Sequence, residues 1–472
     1  MADETSLPDD APAAFAPPPL RDEDDAISAG FLEALRETLA TGDRDTARLL
    51  TEDLHEADLG AILEALEPEE RTGLIQLLGT AFDFTALTEL DESVRVQILE
   101  ELPAAAVAEG VRELDSDDAV YILEDLDAAE QAEILAQIPS IERQALKRSL
   151  DYPEESAGRR MQTEFVAVPP FWTVGQTIDY MREEEDLPES FYEIFVVDPA
   201  FHLLGTVALS HVLRSKRPTP ISELVDEAHH LVPATEDQEE VARMFERYNL
   251  VSAAVVDEDG RLVGVLTIDD IVDVIQEEAD EDLKALAGVN AEEEISDTVL
   301  WTARSRFPWL FANMFTAFVS ASVIGAFESA IAGMVALAVL MPIVASMGGN
   351  AGTQAMAVTV RAIATRELRG RTARRVLARE LSVGFLNGAV LACFVGSLAG
   401  FWFGDPHLGV VIGIALVLNL IVAGTVGVLV PMTLDKLKVD PAVASSVFVT
   451  MTTDSVGYLA FLGLATWWFA LR

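Results

Sequence analysis

The sequence predicts a multidomain protein in which an α-helical superhelix, a pair of α/β units and an acidic helical connector precede a transmembrane domain of five helices. Three observations support this fold class. The charge changes sign near residue 300, two different internal repeats lie before that point, and five long apolar stretches lie after it. A chain of 472 residues is also too long for one ordinary domain.

The charge distribution separates a soluble part from a membrane part. Residues 1–300 carry 72 acidic and 20 basic residues, whereas residues 301–472 carry 7 acidic and 12 basic residues. Nucleic acid is a poor candidate partner because it binds to cationic surfaces. The acids fit a surface adapted to high salt or a cation sensor, and both explanations stay open. No phosphate-binding glycine loop or nucleophile–base pair stands out, so we do not expect an enzyme.

The first predicted elements are a tail and a helical domain. Residues 1–25 are acidic and include three consecutive prolines, which predicts a disordered tail. Within residues 26–155 the phrase Ile62–Leu66 (ILEAL) returns in similar form at 98–102 and 122–126. Turns rich in acids or proline separate the copies, so we expect stacked helical hairpins that form a superhelix.

A second repeat lies within residues 156–272. The strand pair Phe195–Asp198 and Leu204–Val207 matches a second pair 59 residues later. The helices predicted before the two strand pairs are Thr173–Glu185 and Glu239–Tyr248. Each unit therefore reads helix, strand, turn, strand, helix, and the two together resemble paired CBS domains.

The CBS resemblance implies a candidate nucleotide site. In that family a Thr, and an Asp three residues later, hold the ribose of an adenine nucleotide. Thr267 and Asp270 match this pattern in the second unit, whereas the first unit has Ala208 and His211 at the matching positions. The resemblance thus implies at most a half-equipped site for ATP.

Residues 273–300 read as an acidic helical connector between the soluble part and the first membrane helix. Any movement of the soluble domains must act on the membrane domain through this segment. A solvated linker helix with no such role is the alternative.

The transmembrane domain, residues 301–472, contains five apolar stretches long enough to cross a bilayer. An arginine-rich segment between the second and third stretches is predicted to be cytoplasmic by the positive-inside rule. The soluble part is then inside the cell (inner or plasma) membrane and the C-terminus outside. The stretches are Phe307–Phe327, Ile331–Val360, Leu381–Phe403, Leu408–Met432 and Ala442–Leu471.

One carboxylate, Asp454, lies in the middle of the last apolar stretch without a balancing base. An ionisable group at membrane depth is costly, so it is read as a functional residue that lines a pore or cavity. Thr450 adds a hydroxyl one turn before it. The alternative is an Asp held in a helix–helix hydrogen bond.

The second apolar stretch contains a polar, glycine-rich segment. Gly348 and Gly349 would let backbones approach closely, or would let the helix unwind and free carbonyl oxygens to face an ion. Asn350, Thr353 and Gln354 would add uncharged side-chain oxygens to the lining. The alternative is a seam of small residues that packs helices together.

These ligand types favour a hard divalent cation. Carboxylate, amide and carbonyl oxygens, without His or Cys, suit Mg²⁺, Ca²⁺ or Mn²⁺. Mg²⁺ loses its waters reluctantly, so one carboxylate with several retained waters is a reasonable site. A single Asp454 supplies half of the counter-charge, and a two-fold axis would bring two copies together. We therefore expect a homodimer with a shared pore.

Four phrases add a family resemblance: Tyr152–Gly158, Pro308–Leu310, Pro342–Gln354 and Asp440–Asp454. Together with the order of the domains, they resemble the MgtE family of magnesium transporters and channels. The resemblance implies a homodimeric, Mg²⁺-selective path that closes when cytoplasmic Mg²⁺ binds between the acidic faces of the soluble domain and the connector, or plug, helix.

The resemblance also implies roles for individual residues. Asp454 matches the pore carboxylate of the family. Further acids match its regulatory metal ligands: Asp440, Glu278, Glu281, Asp282, Asp270, Asp273 and Asp118. Two alternatives stay open, namely a CBS-regulated carrier of another divalent cation or small solute, and a membrane Mg²⁺ sensor that does not transport.

Overall fold

The computed structural model describes residues 17–184, 187–188, 190–226, 230–291, 293, 297–368 and 371–471. It divides into two compact units, Met1–Gln276 and Glu277–Arg472. The prediction of a disordered tail falls mostly on residues 1–16, which lie outside the described residues.

The first unit begins with a succession of short helices joined by tight turns, as the repeated phrase predicts. All three copies of the phrase end a helix, and their Ile and Leu side chains are buried in one core. A related segment, Ile134–Ile138, ends a further helix and packs into the same core, although the sequence repeat did not reveal it. The helices are α1 Ala29–Thr41, α2 Arg44–Thr51, α3 Glu56–Ala65, α4 Pro68–Leu78, α5 Glu92–Glu101, α6 Ala104–Val111, α7 Ser116–Glu124, α8 Ala128–Gln137 and α9 Ser140–Leu150.

Residues 17–25, which the sequence assigns to the tail, belong in part to this helical array. Leu20 packs against its core, and the Arg21 guanidinium forms an ion pair with Asp58 at 2.5 Å. The Ser28 hydroxyl donates a hydrogen bond to the carbonyl oxygen of Pro19 at 2.5 Å. The array therefore begins before residue 26, because an apolar side chain and a charged one both find partners on it.

The second repeat folds into two three-stranded sheets with the same topology. The strands of the first sheet are β1 Ala167–Val168, β2 Glu193–Val197 and β3 Leu203–Ala208, and those of the second are β4 Leu231–Pro233, β5 Ser252–Val256 and β6 Leu262–Thr267. In each sheet the first strand pairs parallel and the third antiparallel to the middle strand. The pairs Glu193–Ala208 and Ser252–Thr267 keep the predicted shift of 59 residues.

Four helices accompany these sheets: α10 Ala157–Arg160, α11 Val174–Glu183, α12 Leu209–Arg214 and α13 Gln238–Tyr248. Thr173 begins α11 with a capping box, in which its hydroxyl accepts from the Gln176 N–H and the Gln176 side chain reaches back. The α/β pair is therefore confirmed, and α11 and α13 begin and end within two residues of the predicted bounds.

The end of the second α/β unit and the start of the connector form one helix, α14 Ile268–Ala287. It ends at Gly288, whose φ of 73° is the left-handed conformation that glycine commonly adopts after the last turn of a helix. The Val289 N–H donates to the Lys284 carbonyl, and the Lys284 ammonium donates to the Ala291 carbonyl at 2.6 Å. The predicted connector thus begins as a helix, and that helix ends well before residue 300.

In the part of the second unit that the structure describes, five helices are long and apolar enough to cross a membrane, as predicted. A short helix, α16 Glu328–Gly333, precedes the second of them, so the predicted second stretch begins in a separate element. The five are α15 Val299–Gly325, α17 Ala336–Ala364, α18 Arg371–Phe403, α19 Pro406–Lys436 and α20 Pro441–Trp468. Among these helices, α19 has the largest share of buried residues, because α17, α18 and α20 all pack against it.

Candidate ion pathway and acidic cluster

Helix α17 continues without interruption through its glycine-rich segment, so the prediction that this segment unwinds is wrong. Gly348 and Gly352 are buried, and each allows a neighbouring helix to approach closely. A Cβ atom at Gly352 would lie 2.7 Å from a methyl carbon of Val449 on α20. The seam of small residues, which was the alternative, therefore accounts for these two glycines.

The polar residues of this segment lie on the opposite side of α17 from the seam. Asn350, Thr353 and Gln354 are exposed and follow the spacing of one helical face. The Thr353 hydroxyl donates to the carbonyl oxygen of Gly349 at 3.0 Å, within the same helix. In a membrane, a polar face of this kind needs a hydrated path or a second protein surface.

Asp454 lies at the edge of the contact between α20 and α17. Thr453, the residue before it, is fully buried and would touch a Cβ atom at Gly352. One residue further along an α-helix turns by about 100°, so Asp454 is partly exposed beside that contact. Thr450 is exposed one turn earlier on the same helix. The carboxylate and the Thr450 hydroxyl thus belong to one polar strip of α20.

The last turn of α14 reaches the same pair of helices. Ala285 shares one hydrophobic cluster with Met356 and Val360 of α17 and with Ala442 and Val449 of α20. This contact lies within the second unit and joins the end of the connector helix to both helices that bear the polar faces. A displacement of α14 would therefore change the packing at this end of α17 and α20.

Four of the predicted regulatory acids lie near this contact along the chain. Glu278, Glu281 and Asp282 are partly buried and lie one to two turns before Ala285 on α14. Asp440 is exposed and begins α20, where its Oδ1 accepts a hydrogen bond from the Ala442 N–H at 2.7 Å. The end of α14 thus carries three acids within two turns of Ala285, which packs against Ala442 at the start of α20.

The first unit brings together acids that are far apart in sequence. Asp117 and Asp118 lie in the first turn of α7, and Asp269 and Asp270 lie in the first turn of α14. Burial, followed by repulsion from Asp270, raises the pKa of Asp118 to about 7. Burial also raises the pKa of Asp270 to about 6, with Asp269 adding to the effect and a hydrogen bond from Thr267 opposing it. Burial, together with the charges of Asp270 and Asp118, raises the pKa of Asp117.

Two more carboxylates extend this acidic cluster. Burial and the charge of Asp269 raise the pKa of Asp273, while Arg160 lowers it. Burial and the charge of Asp273 raise the pKa of Glu89. Within the described residues no three His, Cys, Asp or Glu side chains are arranged to hold a metal ion. The raised pKa values nevertheless mark a site of unbalanced negative potential, which a cation would relieve.

The structure thus brings three of the predicted acids into one cluster, which also contains three acids that were not predicted. Asp118, Asp270 and Asp273 lie in one cluster, together with Asp117, Asp269 and Glu89, which sequence reasoning missed. The only local signal was the adjacency of each missed Asp to a predicted one. Glu89 had no signal of its own in a chain with 79 acidic residues.

A cleft in the α/β pair includes one of the two predicted nucleotide ligands. Thr267 lines it, together with aromatic side chains such as Phe165 and Tyr192, and it encloses about 300 Å³ including its open mouth. The Thr267 hydroxyl donates to Asp270 Oδ2 at 2.6 Å, so the two predicted residues are direct neighbours. Burial raises the pKa of Glu193, which lies in the same cleft.

Comparisons with known proteins agree with this architecture. A family model described as a divalent cation transporter matches residues 341–464, and one described as the MgtE intracellular N domain matches residues 54–155. The chain is 36% identical over 452 residues to the magnesium transporter MgtE of Thermus thermophilus, which covers 92% of this chain and 97% of the relative. The chain belongs to the MgtE family.

Other MgtE relatives agree. The magnesium transporter MgtE of Enterococcus faecalis is 36% identical over 321 residues, covering 68% of this chain and 71% of the relative. A solved structure of the cytosolic domain of the Mg²⁺ channel MgtE in complex with ATP is 31% identical, with a TM-score of 0.48, and covers 52% of this chain and 99% of that one. A CBS domain model matches residues 221–277, which include the second α/β unit of this MgtE chain. The family models and the curated relatives confirm the family resemblance and the multidomain fold.

Proposed function

We propose that this MgtE-family chain is not an enzyme but forms, as a homodimer, a Mg²⁺-selective uptake path across the plasma membrane. The observation that carries the proposal is Asp454, a partly exposed carboxylate in an apolar helix beside the contact with α17. Its neighbours offer hydroxyl and amide groups, which suit a hard cation that retains several waters. The relatives from Enterococcus faecalis and Thermus thermophilus are magnesium transporters, which favours Mg²⁺ as the ion.

The directions of the two polar faces support the proposed dimer. Asp454 and Thr450 lie beside the contact between α20 and α17, whereas Asn350 and its neighbours lie on the far side of α17. A second copy across a two-fold axis would cover both faces. Two copies of Asp454 would also balance the charge of one divalent ion.

For regulation we propose that Mg²⁺ on the cytoplasmic side closes the path. The soluble part, made of residues 26–155 and 156–272, and the connector 273–300 would then be cytoplasmic, with 301–472 in the membrane and the C-terminus outside. The acidic cluster around Asp118 and Asp270 repels itself until divalent ions bridge it. Through α14, whose last turn packs on α17 and α20, this binding would act on the end of the path.

A nucleotide is a second proposed ligand. The cleft beside Thr267 has a hydroxyl and aromatic rings that suit the ribose and base of ATP. A Thr267→Ala variant should lose ATP binding measured by calorimetry on the full chain in detergent. Unchanged binding would remove this assignment.

The main test is Mg²⁺ flux into liposomes that contain the purified chain. Asp454→Asn should abolish the flux, because it removes the charge that attracts the ion. Asp405→Asn is the matched control, since Asp405 caps α19 by accepting from the His407 N–H, and Asn caps helices equally well. Flux that is indifferent to Asp454 would remove the pore assignment. A folded chain without any flux would instead favour the sensor.

A further inference from the structure

The most deeply buried amide of the membrane domain is that of Asn419, in the middle of α19. Its side chain is 0% exposed. Its Nδ2 donates to the Val344 carbonyl oxygen of α17 at 2.9 Å. Among the described residues, none donates a hydrogen bond to its Oδ1. A buried polar atom without a partner is costly, so this side chain stabilises the helix packing less than an apolar one would.

Glycines on two other helices make room for this amide. A Cβ atom at Gly348 of α17 would overlap the amide nitrogen of Asn419. A Cβ atom at Gly457 of α20 would lie 2.7 Å from the same nitrogen. The Asn419 side chain therefore fills the space between α17 and α20, and its size determines how closely these two helices approach α19.

The contact of Asn419 with Gly348 and Gly457 lies next to the polar faces of the proposed path. Asp454 precedes Gly457 by three residues, which is about 4.5 Å along a helix axis. Asn350 follows Gly348 by two residues, and Gly352, one turn beyond Gly348, packs on α20. A change at Asn419 would thus shift both helices close to the residues that face the ion.

We propose that Asn419 is a positioning residue that sets the spacing of α17 and α20 and thereby the selectivity of the path. The inference rests on the proposed function, because it assumes that Asp454 contacts the ion. Discrimination between Mg²⁺ and a larger ion such as Ca²⁺ depends on the size and flexibility of the site. Asn419 acts on that size through the two glycines rather than by contact with the ion.

The experiment compares Mg²⁺ and Ca²⁺ fluxes into liposomes for wild type and Asn419→Ala. We expect the Mg²⁺/Ca²⁺ flux ratio to fall by about threefold or more, the factor that corresponds to a typical interhelical hydrogen bond of about 0.6 kcal/mol. Leu416→Ala is the matched control, because Leu416 is equally buried on α19 and its loss leaves a cavity without removing the amide. It should lower the amount of folded protein but keep the ratio.

A compensated variant keeps the test decisive if Asn419→Ala does not fold. Gly348→Ala alone should abolish flux because its methyl group overlaps the amide, and Gly348→Ala/Asn419→Ala should restore flux with the lowered ratio. A wild-type ratio in either Asn419 variant that folds, or an equal change in Leu416→Ala, would overturn the proposal. If wild type carries no Mg²⁺ flux, or Asp454→Asn does not reduce it, the proposed function fails and this inference with it.

Discussion

The acidic cluster of the first unit makes the stability of this protein dependent on pH. The pKa of Asp118 rises from its ordinary 3.8 to about 7, mainly through burial and then through Asp270. At 1.36 kcal/mol per pH unit, this corresponds to about 4 kcal/mol of unfavourable free energy once the carboxylate is charged. Salt and water at the edge of the cluster screen part of the repulsion, so we expect about 2 kcal/mol.

The sign follows from the order of the two pKa values. The folded-state pKa of Asp118 lies above the unfolded one, so the folded form binds the proton more tightly. The stability that depends on this group is fully present below about pH 4 and is lost as the pH rises through about 7. Asp118→Asn removes the charge and should therefore stabilise the first unit at pH 8 but hardly at pH 5.

Thermal unfolding of the full chain in detergent, without divalent ions, measures this difference. A gain of about 2 kcal/mol should raise the unfolding midpoint by about 4–8 °C at pH 8. Asp127→Asn is the matched control, because Asp127 caps α8 at an exposed position and Asn keeps the cap. Mg²⁺ should raise the midpoint of wild type at pH 8 more than that of Asp118→Asn. A midpoint that falls at pH 8, or rises equally at pH 5, would refute the argument.

Two further predictions concern the gate and the core. Glu281→Gln/Asp282→Asn should raise the internal Mg²⁺ concentration that halves liposome flux by about fivefold or more, because two carboxylates of the proposed sensor are neutralised. Asp280→Asn, on an exposed face of the same helix, should leave it unchanged, and an equal shift in both variants would count against the connector as sensor. Arg95→Met should destabilise the first unit by about 3–5 kcal/mol, because it removes the guanidinium of a buried ion pair. Arg112→Met, which breaks an exposed pair, should cost less than about 1 kcal/mol in the same unfolding assay, and equal losses would contradict this reasoning.

The architecture could be predicted from the sequence because its signals are local and periodic. The returning phrase around Ile62 marks helix ends, and the shift of 59 residues reproduces the strand register between the two sheets. Five apolar stretches became five long helices, since length and hydropathy suffice for that assignment. Asp454 could also be identified from local sequence, because a single carboxylate in an apolar stretch is recognisable without knowing which residues pack around it.

The arrangement around these features was decided only by tertiary packing. Gly348 was compatible with an unwound helix or a packing seam. The space that a side chain at position 348 would need is filled by the amide of Asn419, which lies on another helix 71 residues further along the chain. Asp118 and Asp270 are 152 residues apart, and their raised pKa values exist because the fold buries both first turns together. Local sequence therefore determined which elements form and which residues are chemically unusual. Tertiary structure determined which of those residues share a site, because close packing and electrostatic repulsion depend on distances between segments that no local pattern encodes.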